Sequence, residues 1–185
     1  MIKILFIFVL MFNFLFALEE SSIESEMKAR IDKITLILKN SELSKSQKSD
    51  KLFNILDDVF DFELMAKISL GRAYNTLSPS EQAEFVNRFV IKLKNSYIDK
   101  IDLYNGQEVE IKGVQKIKTD RINLLSQIQG QNENYDIVYK FYPKANEWYI
   151  YDIDMLGISI VQTYRKQFGE FLATKNVNEL LESLK

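Results

Sequence analysis

The spacing of apolar side chains changes period near residue 105, and that change limits the fold more than any other feature. "PSEQAEFVNRFVIKLKNSYIDKI" carries Phe85, Phe89, Leu93, Tyr97 and Ile101 at every fourth position, and Val86 and Val90 widen the face. That is the stripe of a helix buried on one side. Its start is written in "TLSPSEQAEF": Ser78 as N-cap, Pro79 at the first helical position and Glu81 closing a capping box. The helix is expected to run to about Asp102. From Gln107 the period becomes two. "QEVEIKGV", "RINLLSQIQ", "YDIVYKFYP" and "EWYIYDIDM" are four strands rich in β-branched and aromatic residues, the last two joined as a hairpin by "PKAN". On the third strand Tyr135, Ile137, Tyr139 and Phe141 share one face, and Val138 and Tyr142 share the other.

Helices flank this sheet in the sequence. Ile23, Met27, Ile31, Ile34 and Leu38 make one stripe, with Ser21 and Glu24 spaced as a capping box, so a helix is expected over about 22–39. The polar run "NSELSKSQKSDK" enters a second helix with Leu52, Ile55, Leu56 and Val59 on its face. A short third, "FDFELMAKISLG", stops at Gly71. After Gly157 the helical period returns through Val161, Tyr164, Phe168 and Phe171 or Leu172. "NVNELLESLK" closes the chain, Asn176 and Glu179 forming a cap pair before Val177, Leu180, Leu181 and Leu184. Helices, then an antiparallel sheet, then helices make an α+β chain. Its sheet is covered by helices on one face and partly exposed on the other.

The chain has 185 residues, 46% of them hydrophobic, enough for one domain with a sizeable core. Twenty-four basic against 26 acidic residues give a net charge of −2, which argues against nucleic acid as a partner. Cysteine and histidine are both absent. That excludes disulfides, Ser-His and Cys-His catalysis and every His/Cys metal site. The opening "MIKILFIFVLMFNFLFALEESS" has an early Lys3, an apolar run shorter than a membrane-spanning helix, and Ala17 before an acidic stretch. This is the pattern of a secretory signal peptide over 1–17, although Leu15 departs from the small-residue rule at the −3 position. The remaining 18–185 is expected to form one domain.

Two groups of residues invite chemistry. Asp152 and Asp154 point to the same face of one strand, whereas catalytic carboxylates converge from different elements, so the pair reads as a solvated face. "DIDMLGISI" echoes the start of a calcium loop, but Leu156 stands where the third oxygen ligand belongs and Thr163 where the closing Glu belongs. Tyr135, Tyr139, Tyr149 and Tyr151, with an Asp, could support acid–base catalysis on an apolar substrate; tyrosines on a sheet more often pack with a hydrogen-bonded tip. A sheet that curls over a helix can also leave an apolar cleft, which binds apolar ligands.

The residues that decide among these are Phe62, Glu63, Met65 and Ala66; Leu70, Gly71 and Arg72; Ser78, Pro79, Glu81 and Gln82; and a final block of Trp148, Ile150, Asp152, Gly157, Ser159, Tyr164, Arg165 and Phe168. In this order they resemble the MlaC family, also called the toluene-tolerance auxiliary family, of periplasmic phospholipid carriers. Tyr74 stands where tryptophan is expected. The resemblance implies a curved sheet wrapped by helices, similar to nuclear transport factor 2, with a lipid pocket between them. It implies phospholipid as ligand, no cofactor and no metal, no catalytic residue, and transfer of lipid between inner and outer membranes. The partners it implies are an inner-membrane MCE-type ABC transporter complex and an outer-membrane lipoprotein complex. The pocket is expected to be lined by Met65, Phe85, Phe89, Leu93, Tyr97, Ile101, Val138, Tyr149, Tyr151, Ile153, Val161, Tyr164 and Phe168. Arg72 and Arg165, near element ends, are the headgroup candidates because guanidinium binds phosphate well. Asp152 then becomes an anchor for the joint at Gly157 between the last strand and the helix after it. The alternative is a small enzyme of the same fold using Asp and Tyr.

Overall fold

A computed structural model describes residues 18–130 and 133–184; the expected signal peptide, 1–17, lies outside them. Among the described residues the first half of the chain folds into four α-helices: α1 (Ile23–Lys39), α2 (Lys45–Leu56), α3 (Phe62–Leu70) and α4 (Pro79–Ile98). Helix α4 starts as its sequence requires, Ser78 and Glu81 forming the reciprocal capping box with Pro79 just inside. It ends four residues before the expected Asp102, because the chain tightens there into a 3-10 turn over Ile101–Leu103. Ser44 and Gln47 cap α2 in the same way as α4. The expected box at Ser21 and Glu24 does not form: a 3-10 turn over Glu20–Ser22 takes up Ser21, and α1 enters one residue later with no side-chain cap. Helix α3 stops at Gly71, whose φ of 63° is open to glycine without strain.

Five antiparallel strands follow in sequence order as one open, curved sheet: β1 (Glu108–Lys118), β2 (Arg121–Gln129), β3 (Asn134–Lys144), β4 (Glu147–Met155) and β5 (Ile158–Ser159). The two-residue β5 is too short to show a period; Leu156 and Gly157, both at positive φ, fold it back on β4. Strand β1 is longer than its sequence suggests, and it shifts register between Ile111 and Gly113. The free edge of β4 is covered: its Trp148 N–H donates to Leu18 O at 2.8 Å, and its Ile150 N–H to Val59 O at 2.8 Å. Helices α5 (Ile160–Leu172) and α6 (Val177–Ser183) close the chain, the latter through the Asn176–Glu179 box.

Two apolar cores result. One joins α3, α4, α5 and α6 around Met65, Phe85, Phe89, Val161 and Phe168. The other packs Ile23 and Met27 of α1 and Val59 against Ile122, Leu124, Phe141, Trp148 and Ile150 of the sheet. Phe60 packs against both. Beyond it, the two cores part. Among the described residues no helix is long and apolar enough to cross a membrane.

Candidate functional site

Where the cores separate, the inner face of β3 and β4 and the helices opposite fail to meet. Two adjoining cavities remain. The first, about 270 Å³, lies between Leu52, Phe53 and Leu56 of α2, Phe62 and Met65 of α3, Leu93 and Tyr97 of α4, and Ile137, Tyr139, Ile153 and Met155 of the sheet. The second, about 460 Å³, continues between Ile31, Ile34 and Leu38 of α1, the turn at Ile101–Tyr104, and Val109, Ile128 and Tyr135 of the sheet. Leu52, Tyr97, Ile101, Ile137, Tyr139 and Met155 line both, so one partition of side chains separates them. Leu103 and Leu156, exposed by 66% and 60%, stand at the rim of the second cavity. The second cavity alone, and the two taken together, fall within the roughly 300–1,000 Å³ of ligand sites.

Of the residues expected at a pocket, Met65, Leu93, Tyr97, Ile101 and Ile153 line the first cavity. Phe85, Phe89, Val161 and Phe168 are buried in the helical core instead. There Phe85 meets Phe168 edge-on at 5.6 Å, and Phe89 meets Tyr164 at 5.2 Å. The α4 stripe therefore changes task along its length: its first half fills the core, and its second half reaches over the hollow.

Val138 is paired with Leu125 and Asp154 between Ile137 and Tyr139, which both face the cavities, so alternation puts it on the outer face. Tyr149 and Tyr151 are also on that outer face. The cause is a β-bulge: Lys140 pairs with Asp152 while Phe141 pairs with Ile150, leaving Tyr151 extra. Ile150 and Ile153, on either side of the bulge, thus share the inner face. Tyr151 stacks edge-on with Tyr142 at 5.8 Å, under the Arg121 guanidinium. Sequence reasoning missed the contribution of α2 and of Phe60, Phe62, Ile137 and Met155.

Arg72 and Arg165 are exposed and line neither cavity; Arg165 Nε lies 3.5 Å from where a side chain at Gly71 would begin. Among the described residues the charged ones on the first cavity's wall are Asp57 and Lys94, paired at 2.6 Å. The wall of the second adds Lys100 and Asp136. Burial pushes the Tyr97 and Tyr139 phenols up to about 12, so both are neutral at physiological pH. Among the described residues neither phenol hydrogen-bonds a carboxylate; the tyrosine–carboxylate contacts lie away from both phenols, at Tyr135–Glu133, Tyr149–Glu147 and Tyr142–Asp61.

Asp152 is buried rather than solvated. It accepts from Ser159 Oγ at 2.7 Å, from the Val161 backbone N–H at 3.1 Å and from Lys140 Nζ at 3.0 Å. It thereby fixes the first turn of α5 to β4, while Ser159 itself caps the helix through Gln162 N–H at 3.0 Å. Asp154 Oδ1 lies 2.7 Å from the same ammonium, on the same face as Asp152. One lysine thus bridges both carboxylates and compensates one of their two negative charges.

A curved antiparallel sheet, helices wrapped over its inner face and an apolar hollow left between them define the class: an α+β protein with an internal apolar cavity. The chain belongs to the MlaC family, whose model, that of the MlaC protein, matches residues 28–185. Among solved structures, the phospholipid-binding protein from Ralstonia solanacearum, in complex with a phospholipid, superposes with a TM-score of 0.77. It is 21% identical in sequence, and the match covers 86% of this chain and 93% of that one. At that identity the likeness establishes the shared fold.

Proposed function

We propose that the protein holds a phospholipid by its acyl chains in the two adjoining cavities and carries it through the periplasm between inner and outer membranes. The observation that carries this reading is the pair of apolar cavities, with a shared wall of Leu52, Tyr97, Ile101, Ile137, Tyr139 and Met155. Membership of the MlaC family and the phospholipid held by the Ralstonia protein support it. The partners would be an inner-membrane MCE-type ABC transporter complex and an outer-membrane lipoprotein complex. The protein acts as a carrier and not as an enzyme.

The energetics suit a shuttle. A phospholipid has roughly 30 methylenes, each worth about 0.8 kcal/mol when removed from water, so gross burial exceeds roughly 20 kcal/mol. A bilayer buries the same chains equally well, and the net difference between cavity and membrane is small. The chains stay out of water while the lipid remains transferable, and direction comes from the partners.

Segment 1–17 is the proposed signal peptide and 18–185 the mature single domain. Leu18 is buried, and its carbonyl accepts the Trp148 N–H, which favours a cut that keeps it. Native mass spectrometry of protein purified from a cell envelope tests both points. The expected mass corresponds to a chain beginning at Leu18 plus one or more phospholipids. Protein that is always empty, and takes up no labelled lipid from vesicles, would sink the carrier reading.

A further inference from the structure

Among the described residues the wall of the first cavity carries charge at one place, where Asp57 at the end of α2 faces Lys94 on α4. The Lys94 ammonium lies 2.6 Å from Asp57 Oδ2, 4.9 Å from the centre of the Phe53 ring and 5.4 Å from that of Phe62. Two aromatic faces and one carboxylate therefore hold it at the cavity wall. Both charged side chains reach water, Lys94 being 22% and Asp57 43% exposed. An amphiphile whose chains enter this cavity must leave its polar end where the wall meets solvent and accepts charge. Lys94 marks that place.

Resting on the carrier reading above, we infer that Lys94 binds the phosphate of the loaded lipid, and that Asp57 occupies this position when no lipid is present. An ammonium suits a phosphate diester as a compact point charge. Asp57 is a replaceable partner, because it is the C-cap of α2, where the helix's own partial negative charge disfavours a carboxylate. Asp58 beside it is engaged by Arg30 at 2.9 Å, so it does not compete for Lys94. Loading thus exchanges one anion for another on the same ammonium. The α2 end is released from α4 as the phosphate arrives.

The test compares retention of phosphatidylglycerol with that of diacylglycerol having the same chains, in the mature protein, by native mass spectrometry and by transfer to vesicles. Lys94→Met keeps an apolar stem between the rings. It is expected to lower phosphatidylglycerol retention about tenfold, the loss typical of one charge-assisted contact, while diacylglycerol retention is unchanged. Lys94→Arg should restore most of the difference, and Asp57→Asn should raise phosphatidylglycerol retention above that of wild type. Equal losses for both lipids, or no loss for either, would overturn the assignment. So would a larger phosphatidylglycerol loss in Lys100→Met, at the second cavity. Inorganic phosphate titrated into lipid-free protein should leave the Lys94 resonances in place; saturable shifts there would assign the site to free phosphate instead. Wild-type protein that retains neither lipid would overturn the carrier reading itself.

Discussion

Single carboxylates show how local surroundings set a residue's task. Asp61 caps α3 by accepting the Leu64 N–H at 2.9 Å, and its buried side chain also accepts from Lys144 Nζ at 2.8 Å and from the Tyr142 hydroxyl. Burial alone would raise its pKa; the bonds from Lys144, Tyr142 and Leu64 more than offset this and hold it below the usual carboxylate value. A group whose pKa is depressed on folding contributes stability above its unfolded value, near pH 4, and loses it as pH falls through the folded one. Asp61→Asn should therefore lower stability by about 1 kcal/mol at neutral pH, since it weakens the buried bonds from Tyr142 and Leu64 and removes the ion pair with half-exposed Lys144. The gap between the two melting curves should narrow as pH falls below about 4 and the Asp61 carboxyl becomes protonated at its depressed folded-state pKa. Calorimetry from pH 2 to 7 checks this, and a gap that stays constant with pH would contradict it.

At the scale of elements, the two faces of β3 offer a matched comparison. Ile137 lines both cavities, and Val138, its neighbour, is on the outer face. Ile137→Trp should fill the space around the partition and reduce bound lipid severalfold in native mass spectra, with the fold retained. Val138→Trp should leave occupancy unchanged. Equal effects of the two substitutions would mean that the lipid does not occupy this hollow. The contrast also shows what was legible in the sequence. Spacing alone locates α4, the hairpin and the four long strands, because helical and strand periods are local properties. "YIYDID" alternates without interruption, and the bulge at Tyr151 arises from pairing with Lys140 and Phe141 of the neighbouring strand. Nothing local encodes it, and unbroken alternation would put Tyr149 and Tyr151 on the face of Ile153. The stripe on α4 is likewise continuous, and only its neighbours determine that Phe85 is core and Tyr97 is wall. Asp152 differs again: a lone buried carboxylate looks in the sequence like a solvated one until Ser159 and Val161 are folded against it.

Across the whole molecule, two cores that part beyond Phe60 leave apolar walls with nothing between them. Side chains facing such a void lose the dispersion contacts that a packed interior provides. On the proposed carrier reading, empty protein is the less well packed member of the pair, and bound lipid would complete the packing between the sheet and the helices. Because a ligand that binds only the folded state adds about 2.7 kcal/mol at a hundredfold excess over Kd, loading should be visible as heat resistance. For a chain of this length that is a rise of roughly 5–10 °C in Tm. Delipidation followed by calorimetry should show the drop, and reloading from vesicles should reverse it. The inner wall carries the effect, so Ile137→Trp should melt at nearly the same temperature with and without lipid, while Val138→Trp should keep the full difference. A delipidated protein as stable as the loaded one would mean that the helices close onto the sheet when the cavities empty, and that the void is a property of the loaded state alone.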